Sequence, residues 1–301
     1  MEDSICILRT GFYTSIQDEG RFGYAHLGIP ESGAMDKKAM QLANRLVNNS
    51  LDATVLEYTL VGPSIQFHCE RHFVITGGTT VARLGSKIIK NNVIYRARAG
   101  DVLEINKITE GCRGYIAIAG GLQLPDVLES KSMYIPITDI ATVEKEMHIS
   151  IGISTYGTLK GARLKIENKS QITSYIQENT LNVYRGPEYE LLDIEFRNYI
   201  ATSSFTVSNL WNRMAVQLKE TITHSIPSIT TGPVIPGTIQ LTPSGRMMIL
   251  MKDCQTTGGY PRILQLSENA ISILAQKKQD DNISFLLSGP YRSVFHDGVT
   301  E

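Results

Sequence analysis

The sequence predicts a mainly β protein with few helices, of barrel or sandwich type. Three observations carry that expectation. Short runs, apolar throughout or alternating apolar with polar, recur along the 301 residues, and each is bounded by Gly, Pro, Asn or Asp. Helical periodicity is confined to two clear stretches and one weaker one. Neither a GxxxxGK[ST] phosphate loop nor a GxGxxG run opening a βαβ unit occurs, so a doubly wound sheet has no signature here.

Taken in order, strands are expected at residues 5–8, 64–67, 73–76, 81–84, 102–105 and 115–119. Further strands are expected at 164–166, 181–184, 238–241, 247–251 and 283–287. Met35, Ala39, Leu42, Ala43, Leu46 and Val47 cover one face of a helix over 35–47. A second helix fits 268–277, with Ser267 as its N-cap, and a weaker third fits 189–199. Residues 171–180 are polar and read as a connector between two β subdomains, 1–175 and 176–301, with the boundary approximate and interleaving allowed. No short-period repeat or low-complexity tract occurs.

A chain of this length buries a substantial core. Hydrophobic content of 42% and charged content of 20% are ordinary globular values. The formal net charge of −1 supplies no footprint for nucleic acid or an acidic membrane surface. The first six residues lack a basic and apolar leader, and no apolar run is long enough to span a bilayer. A cytoplasmic location, without nucleic acid or membrane as partner, follows as the expectation. Cys6, Cys69, Cys112 and Cys254 are dispersed and form no CxxC pair, which suits buried thiols rather than a disulfide framework.

The densest polar chemistry lies in Asp253-Cys254-Gln255-Thr256-Thr257-Gly258-Gly259-Tyr260-Pro261-Arg262, directly after the apolar run 247–251. Adjacent glycines let a ligand approach backbone N–H groups closely, although threonines capping their own turn would explain the same composition. Cys254 has no histidine beside it in sequence to activate a nucleophilic thiol. Near the N-terminus, residues 14–24 are also rich in polar groups and place Arg21 between Gly20 and Gly23. A guanidinium there suits a carboxylate or phosphate, or else pairs with Asp18 to pin the loop. Glu57, in an apolar run, reads either as an acid/base group with a raised pKa or as the buried partner of an arginine. Arg113 and Tyr115 stand beside Gly111 and Gly114, again joining a cation to glycines. His68 and His72 have helical ligand spacing but sit between two strand-like runs, so a solvated hairpin turn explains them better than a metal site.

Together these segments resemble a known family. Thr14, Gln17, Asp18, Gly20, Arg21, Gly23, Tyr24, Gly28, Pro30, Ser32-Gly33-Ala34-Met35-Asp36, Asn44-Arg45-Leu46-Val47 and Leu56-Glu57 fit its amino-terminal signature. Thr76-Gly77-Gly78, Ala99-Gly100-Asp101, Arg113, Tyr115 and Ala119-Gly120-Gly121 continue it. In the other half, Gly186-Pro187, Val207-Ser208, Arg213-Met214, residues 236–240 and 256–261 match. The resemblance is to the biotin-dependent carboxyltransferase-like group. That group contains the 5-oxoprolinase C subunits, the KipA-type proteins, allophanate hydrolase subunit 2 and part of urea carboxylase.

The resemblance implies cyclophilin-like β-barrel architecture, with two barrel-like subdomains. It implies an assembly of A, B and C subunits, with this chain as the C component and a KipI-like protein as the B component. Such an assembly opens 5-oxo-L-proline to L-glutamate at the expense of ATP, with Mg. A lactam is a poor electrophile, and phosphorylating its oxygen turns that oxygen into a leaving group; arginines and backbone N–H groups would hold the anionic oxygens. Under this reading Arg21, Arg113 and Arg213 are the anion clamps, with Arg21 also counted among the catalytic residues. Glu57 or Asp253 is the acid/base group, and Gln17, Asp18, Tyr115, Gln240, Thr256, Thr257, Gly258, Gly259 and Tyr260 bind the amide or lactam. The alternatives are a carboxyltransferase component acting on urea or another amide, and a non-catalytic regulator binding a KipI-like inhibitor. Met251-Lys252-Asp253 is not the Met-Lys-Met context of a biotinylated lysine, so biotin would arrive on another chain or domain. Trp211 and Lys131 depart from the family pattern, where a small hydroxyl residue and an arginine are usual.

Overall fold

The structure is a computed structural model that describes residues 3–154, 156 and 174–289. It is mainly β and divides into two compact units. The first comprises Met1–Glu178, Lys252–Thr256 and Ser272–Lys278; the second comprises Asn179–Met251, Thr257–Ile271 and Gln279–Glu301.

The first unit carries β1 (Ser4–Arg9), β2 (Tyr13–Gln17), β3 (Val55–Thr59), β4 (Ser64–Phe67), β5 (Arg71–Leu84), β6 (Lys87–Ile89), β7 (Tyr95–Ala97), β8 (Val102–Ile118), β9 (Leu122–Gln123) and β10 (His148–Ile151). They form one ten-stranded sheet in the order β2-β3-β8-β4-β1-β10-β9, and β5 pairs with β6, β7 and β8. Inward-facing Ile5, Ile7, Ile16, Leu56, Ile65, Phe67, Phe73, Leu103 and Ile116 make its main core. Burial of such side chains from water, at about 25 cal/mol per Å² of apolar surface, drives this packing. Helix α1 (Lys37–Leu46) lays Ala39, Met40, Ala43 and Leu46 against Val55, Val74, Tyr115 and Ala117. Asp36 caps it by accepting from Ala39 N at 3.1 Å.

Two pairs of expected strands prove to be single long ones. Residues 73–76 and 81–84 both belong to β5, and residues 102–105 and 115–118 both belong to β8. Gly77-Gly78 and residues 107–113 interrupt the apolar pattern, yet register shifts along the β5–β8 pair let both strands continue through them. Residues 13–17 and 55–59, not singled out as strands by their pattern, pair in register as β2 and β3. The expected strand at 164–166 lies outside the described residues.

The second unit holds β11 (Thr180–Arg185), β12 (Ser204–Trp211), β13 (Ala215–Thr221), β14 (Gly232–Pro233), β15 (Thr238–Leu241), β16 (Arg246–Leu250), β17 (Thr257–Gly258), β18 (Arg262–Leu266) and β19 (Asn282–Leu287). Seven of these close a barrel in the order β11-β18-β15-β16-β13-β12-β19, and β14 pairs separately with β17. Leu181, Val183, Phe205, Val207, Ile239, Leu241, Ile249, Leu264 and Phe285 fill it. Helix α2 (Ile194–Thr202) starts five residues later than the periodicity suggests, because Asp193 caps it by accepting from Phe196 N at 2.7 Å. Helix α3 (Glu268–Ala275) starts where expected, and Ser267 Oγ accepts from Ala270 N at 3.2 Å. No helix among the described residues is long and apolar enough to cross a membrane.

Candidate functional site

In the first unit, residues 18–21 and 31–34 run against one another. Arg21 N donates to Glu31 O at 2.7 Å and Ala34 N to Asp18 O at 2.9 Å. Gly33 has φ 87°, and a Cβ there would meet Glu19 O at 2.6 Å, so only glycine allows this approach. Ser32 N donates to Lys252 O at 2.9 Å, which brings residues 252–254 to the same place.

Arg21 is 1% exposed. Its Nη2 donates to Ser132 O at 2.6 Å, while Nη1 is buried without a hydrogen-bond partner among the described residues. Burial works against the guanidinium charge, and the nearby carboxylates of Asp18 and Asp253 favour it. The structure thus brings Arg21 and Asp253 together. Tyr134, which the sequence reading did not single out, joins them: burial raises its phenol, and Asp253 reinforces the effect. Cys254 is pushed up to about 12, first by burial and then by the negative charges of Glu31 and Asp253. Its thiol is protonated at neutral pH, the reverse of an activated nucleophile.

Asp18 is occupied by the fold. Its Oδ1 accepts from Gly20 N at 2.9 Å, Ser130 Oγ at 2.7 Å and Ser132 Oγ at 2.5 Å, and its Oδ2 from Lys131 N at 2.6 Å. It clamps the turn that carries the Ser132 carbonyl to Arg21, which makes it a positioning residue. Gln17 is fully buried in β2 and donates to Ser15 Oγ at 3.0 Å and Met133 O at 3.3 Å.

Glu57, Arg113 and Tyr115 form a separate buried group. Glu57 Oε2 accepts from Met35 N and Tyr115 Oη, both at 2.8 Å, and its Oε1 lies 4.0 Å from Arg113 Nε. The carboxylate is therefore the buried partner of an arginine, the second of the two readings its sequence setting allowed. Asp36 N donates to Tyr115 Oη at 2.7 Å, and Asp36 Oδ2 accepts from Tyr175 Oη at 2.6 Å and Gln276 Nε2 at 2.7 Å. Gln276 also accepts from Arg113 N at 3.1 Å, and Arg113 Nη1 donates to Ala275 O at 2.5 Å. Burial holds the phenols of Tyr115 and Tyr175 far above their ordinary range, with help from Glu57 and Asp36 in the first case and Asp36 in the second. Glu57, Tyr115 and Arg113 are at most 2% exposed, and Glu57 and Tyr115 spend their polar atoms on each other and on the N–H groups of Met35 and Asp36. Tyr175 and Gln276 escaped the sequence reading, and Asp36 entered it only within the family signature, since nothing in a sequence shows partners so far apart.

The run 253–262 is divided: residues 253–256 belong to the first unit and 257–262 to the second. Asp253 and Cys254 are buried, whereas Thr257 and Tyr260 are exposed and Thr256, Gly258 and Gly259 lie between these extremes. In the second unit, Gln240 is 2% exposed and its Nε2 donates to Tyr260 O at 3.3 Å. A Cβ on Gly258 would stand 2.5 Å from that same nitrogen, which explains the glycine. Arg262 is committed to Glu188, with Nη2 to Oε1 at 2.8 Å and Nε to Oε2 at 3.0 Å, and this bidentate pair lowers the Glu188 carboxyl. Arg213 is buried in the turn between β12 and β13. Among the described residues no group of three or more His, Cys, Asp or Glu is placed to hold a metal ion.

The family pattern for carboxyltransferase domain, subdomains A and B, matches residues 27–287. The chain belongs to the carboxyltransferase domain family. It is 31% identical to the C subunit of 5-oxoprolinase from Escherichia coli (strain K12), over 93% of this chain and 90% of that protein. It is 44% identical to urea amidolyase of Saccharomyces cerevisiae over 44% of this chain, a stretch that is 7% of that much longer protein. The crystal structure of the K. lactis urea amidolyase shares the fold, with a TM-score of 0.84 and 24% identity over 95% of this chain. This chain spans 19% of that one. Within the carboxyltransferase frame, the unusual Lys131 pairs with Asp126 at 3.4 Å while its backbone N–H serves Asp18. Trp211 closes β12, beside exposed Leu210.

Proposed function

We propose that this chain is the C subunit of an ATP-dependent 5-oxoprolinase, opening 5-oxo-L-proline to L-glutamate in a cytoplasmic complex with A and B subunits. The observation that carries the reading is similarity to the C subunit of a 5-oxoprolinase along nearly the whole of both chains. In this reading Arg21 receives the substrate carboxylate on Nη1, the edge left without an acceptor among the described residues. Asp253, held beside it, is the proton-transfer carboxylate. ATP, with magnesium, is the co-substrate of the assembly.

Co-expression with homologues of the A and B subunits should give glutamate release from 5-oxo-L-proline that depends on ATP. Arg21→Ala should lower kcat/KM by about 100-fold, the effect of losing a charge-assisted hydrogen bond to the substrate carboxylate. A stable complex without turnover, or a harmless Arg21→Ala, sinks the reading and favours a non-catalytic regulator of the partner. A second reading, carboxyl transfer to urea or another amide from biotin carried elsewhere, is favoured by the 44% identity to urea amidolyase over part of the chain. Carboxybiotin-dependent carboxylation of urea by the purified chain would support it.

A further inference from the structure

Among the buried donors of the first unit that lack an acceptor among the described residues, two stand on neighbouring segments: Nη1 of Arg21 and Oγ of Ser32. Arg21 is 1% exposed and Ser32 0%. An unmet buried donor is destabilising, because water that satisfied it in the unfolded chain has been removed. Ser32 carries a second penalty. Its φ is 55°, the left-handed region that disfavours any residue with a Cβ. Its neighbour Gly33 and the facing Gly20 also take positive φ, at 87° and 110°, and both are glycine. A glycine at position 32 would remove the strain and the unmet hydroxyl together. The fold therefore gains nothing visible from this serine.

The two donors stand on segments that are bonded to each other. Arg21 N donates to Glu31 O, and Ser32 N is tied to Lys252 O, next to Asp253. We propose that Arg21 and Ser32 form a single cradle for a carboxylate, with Ser32 Oγ donating to one oxygen and Arg21 Nη1 to the other. Both atoms are donors, so the ligand supplies acceptors, and the guanidinium charge calls for an anion. A carboxylate suits the site better than a phosphate dianion, because Asp18 and Asp253 already place negative charge beside Arg21. The proposal rests on the lactam reading only for the identity of the substrate carrying that carboxylate.

Ser32→Ala and Ser32→Gly in the full-length chain provide the test. Without ligand, both should match or exceed the wild-type Tm, Ser32→Gly the more so, whereas a structural role for the serine predicts a fall. In the complex with A and B subunits, both should raise KM for 5-oxo-L-proline by about tenfold with kcat little changed, the effect of one lost hydrogen bond to a charged group. In titration calorimetry on the chain alone, the same variants should weaken glutarate, a plain carboxylate probe. Binding of 2-pyrrolidinone, the same lactam without the carboxylate, should not change between wild type and variants. Unchanged KM and unchanged glutarate affinity in Ser32→Ala overturn the cradle, even where the wild-type complex turns over 5-oxo-L-proline. Conversely, if no complex turns over 5-oxo-L-proline, loss of glutarate binding in Ser32→Ala supports the cradle while the oxoprolinase reading falls.

Discussion

Glu57 lies wholly out of solvent, with one oxygen shared by Met35 N and Tyr115 Oη and the other facing Arg113. Removing its charge leaves a buried guanidinium without its counter-charge, the costly way to break such a pair. Glu57→Gln should therefore lower the unfolding free energy by about 3–5 kcal/mol, read from denaturant melts at constant m-value. A loss below about 1 kcal/mol would show that the pair is immaterial. Cys254 makes the opposite point about reactivity. With its thiol pushed up to about 12, native protein at pH 7.5 should leave Cys254 unmodified by iodoacetamide, and label it only on unfolding. Rapid native labelling at Cys254 would contradict that protonation. The alternatives for Glu57 were readable from its apolar neighbours, and Arg113 was visible as a cation near a strand. Their partnership was not, because it depends on the β3–β8 register that pairs Glu57 with Tyr115 and Thr59 with Arg113.

At the scale of elements, a single carboxylate organises a turn. Asp18 follows β2 and takes four donors, three of them from residues 130–132, more than a hundred positions away. Asp18→Asn would turn one acceptor into an N–H₂ group against at least one of these donors. The expected cost is about 1–3 kcal/mol, with faster amide exchange confined to residues 127–133. Because Ser132 O anchors Arg21, the variant should also raise KM for 5-oxo-L-proline while Arg21 itself is intact. Exchange that speeds up uniformly, with KM unmoved, would mean that Asp18 is an ordinary fold contact. The polar run 14–24 was legible as chemistry, but Thr14, Ser15 and Gln17 sit buried on β2 instead of in a loop. Polar residues inside a sheet defeat alternation as a signal, as do the register shifts that carry β5 and β8 through their glycine and polar stretches. The apolar face of α1, by contrast, was legible because each of its buried positions is a hydrophobic residue or alanine save Asn44.

Across the whole molecule, composition hides what burial does to charge. A net charge of −1 says nothing of Asp36, which is 0% exposed and wrapped by Tyr175, Gln276, Ala39 and Ser272. Burial raises its pKa above the ordinary 3.8, and the hydrogen bonds it accepts only partly oppose that shift. The sign of the consequence follows from linkage. Between 3.8 and the higher folded-state pKa the native chain holds a proton that the unfolded chain has released. Stability from this group is therefore fully present below that window and is lost as pH rises through it. Tyr115 and Tyr175 are raised as well, so their contribution is lost only at strongly alkaline pH and does not interfere. Asp36→Asn keeps a residue able to cap α1 but cannot titrate. Its offset from wild type reflects rearranged hydrogen bonds, so the slope is the informative quantity. Unfolding free energies of the two proteins, measured from pH 4 to pH 8, should show wild type losing ground to Asp36→Asn as pH rises. Parallel curves would mean that Asp36 holds the same charge folded and unfolded, and that the buried group around it has been relaxed by water.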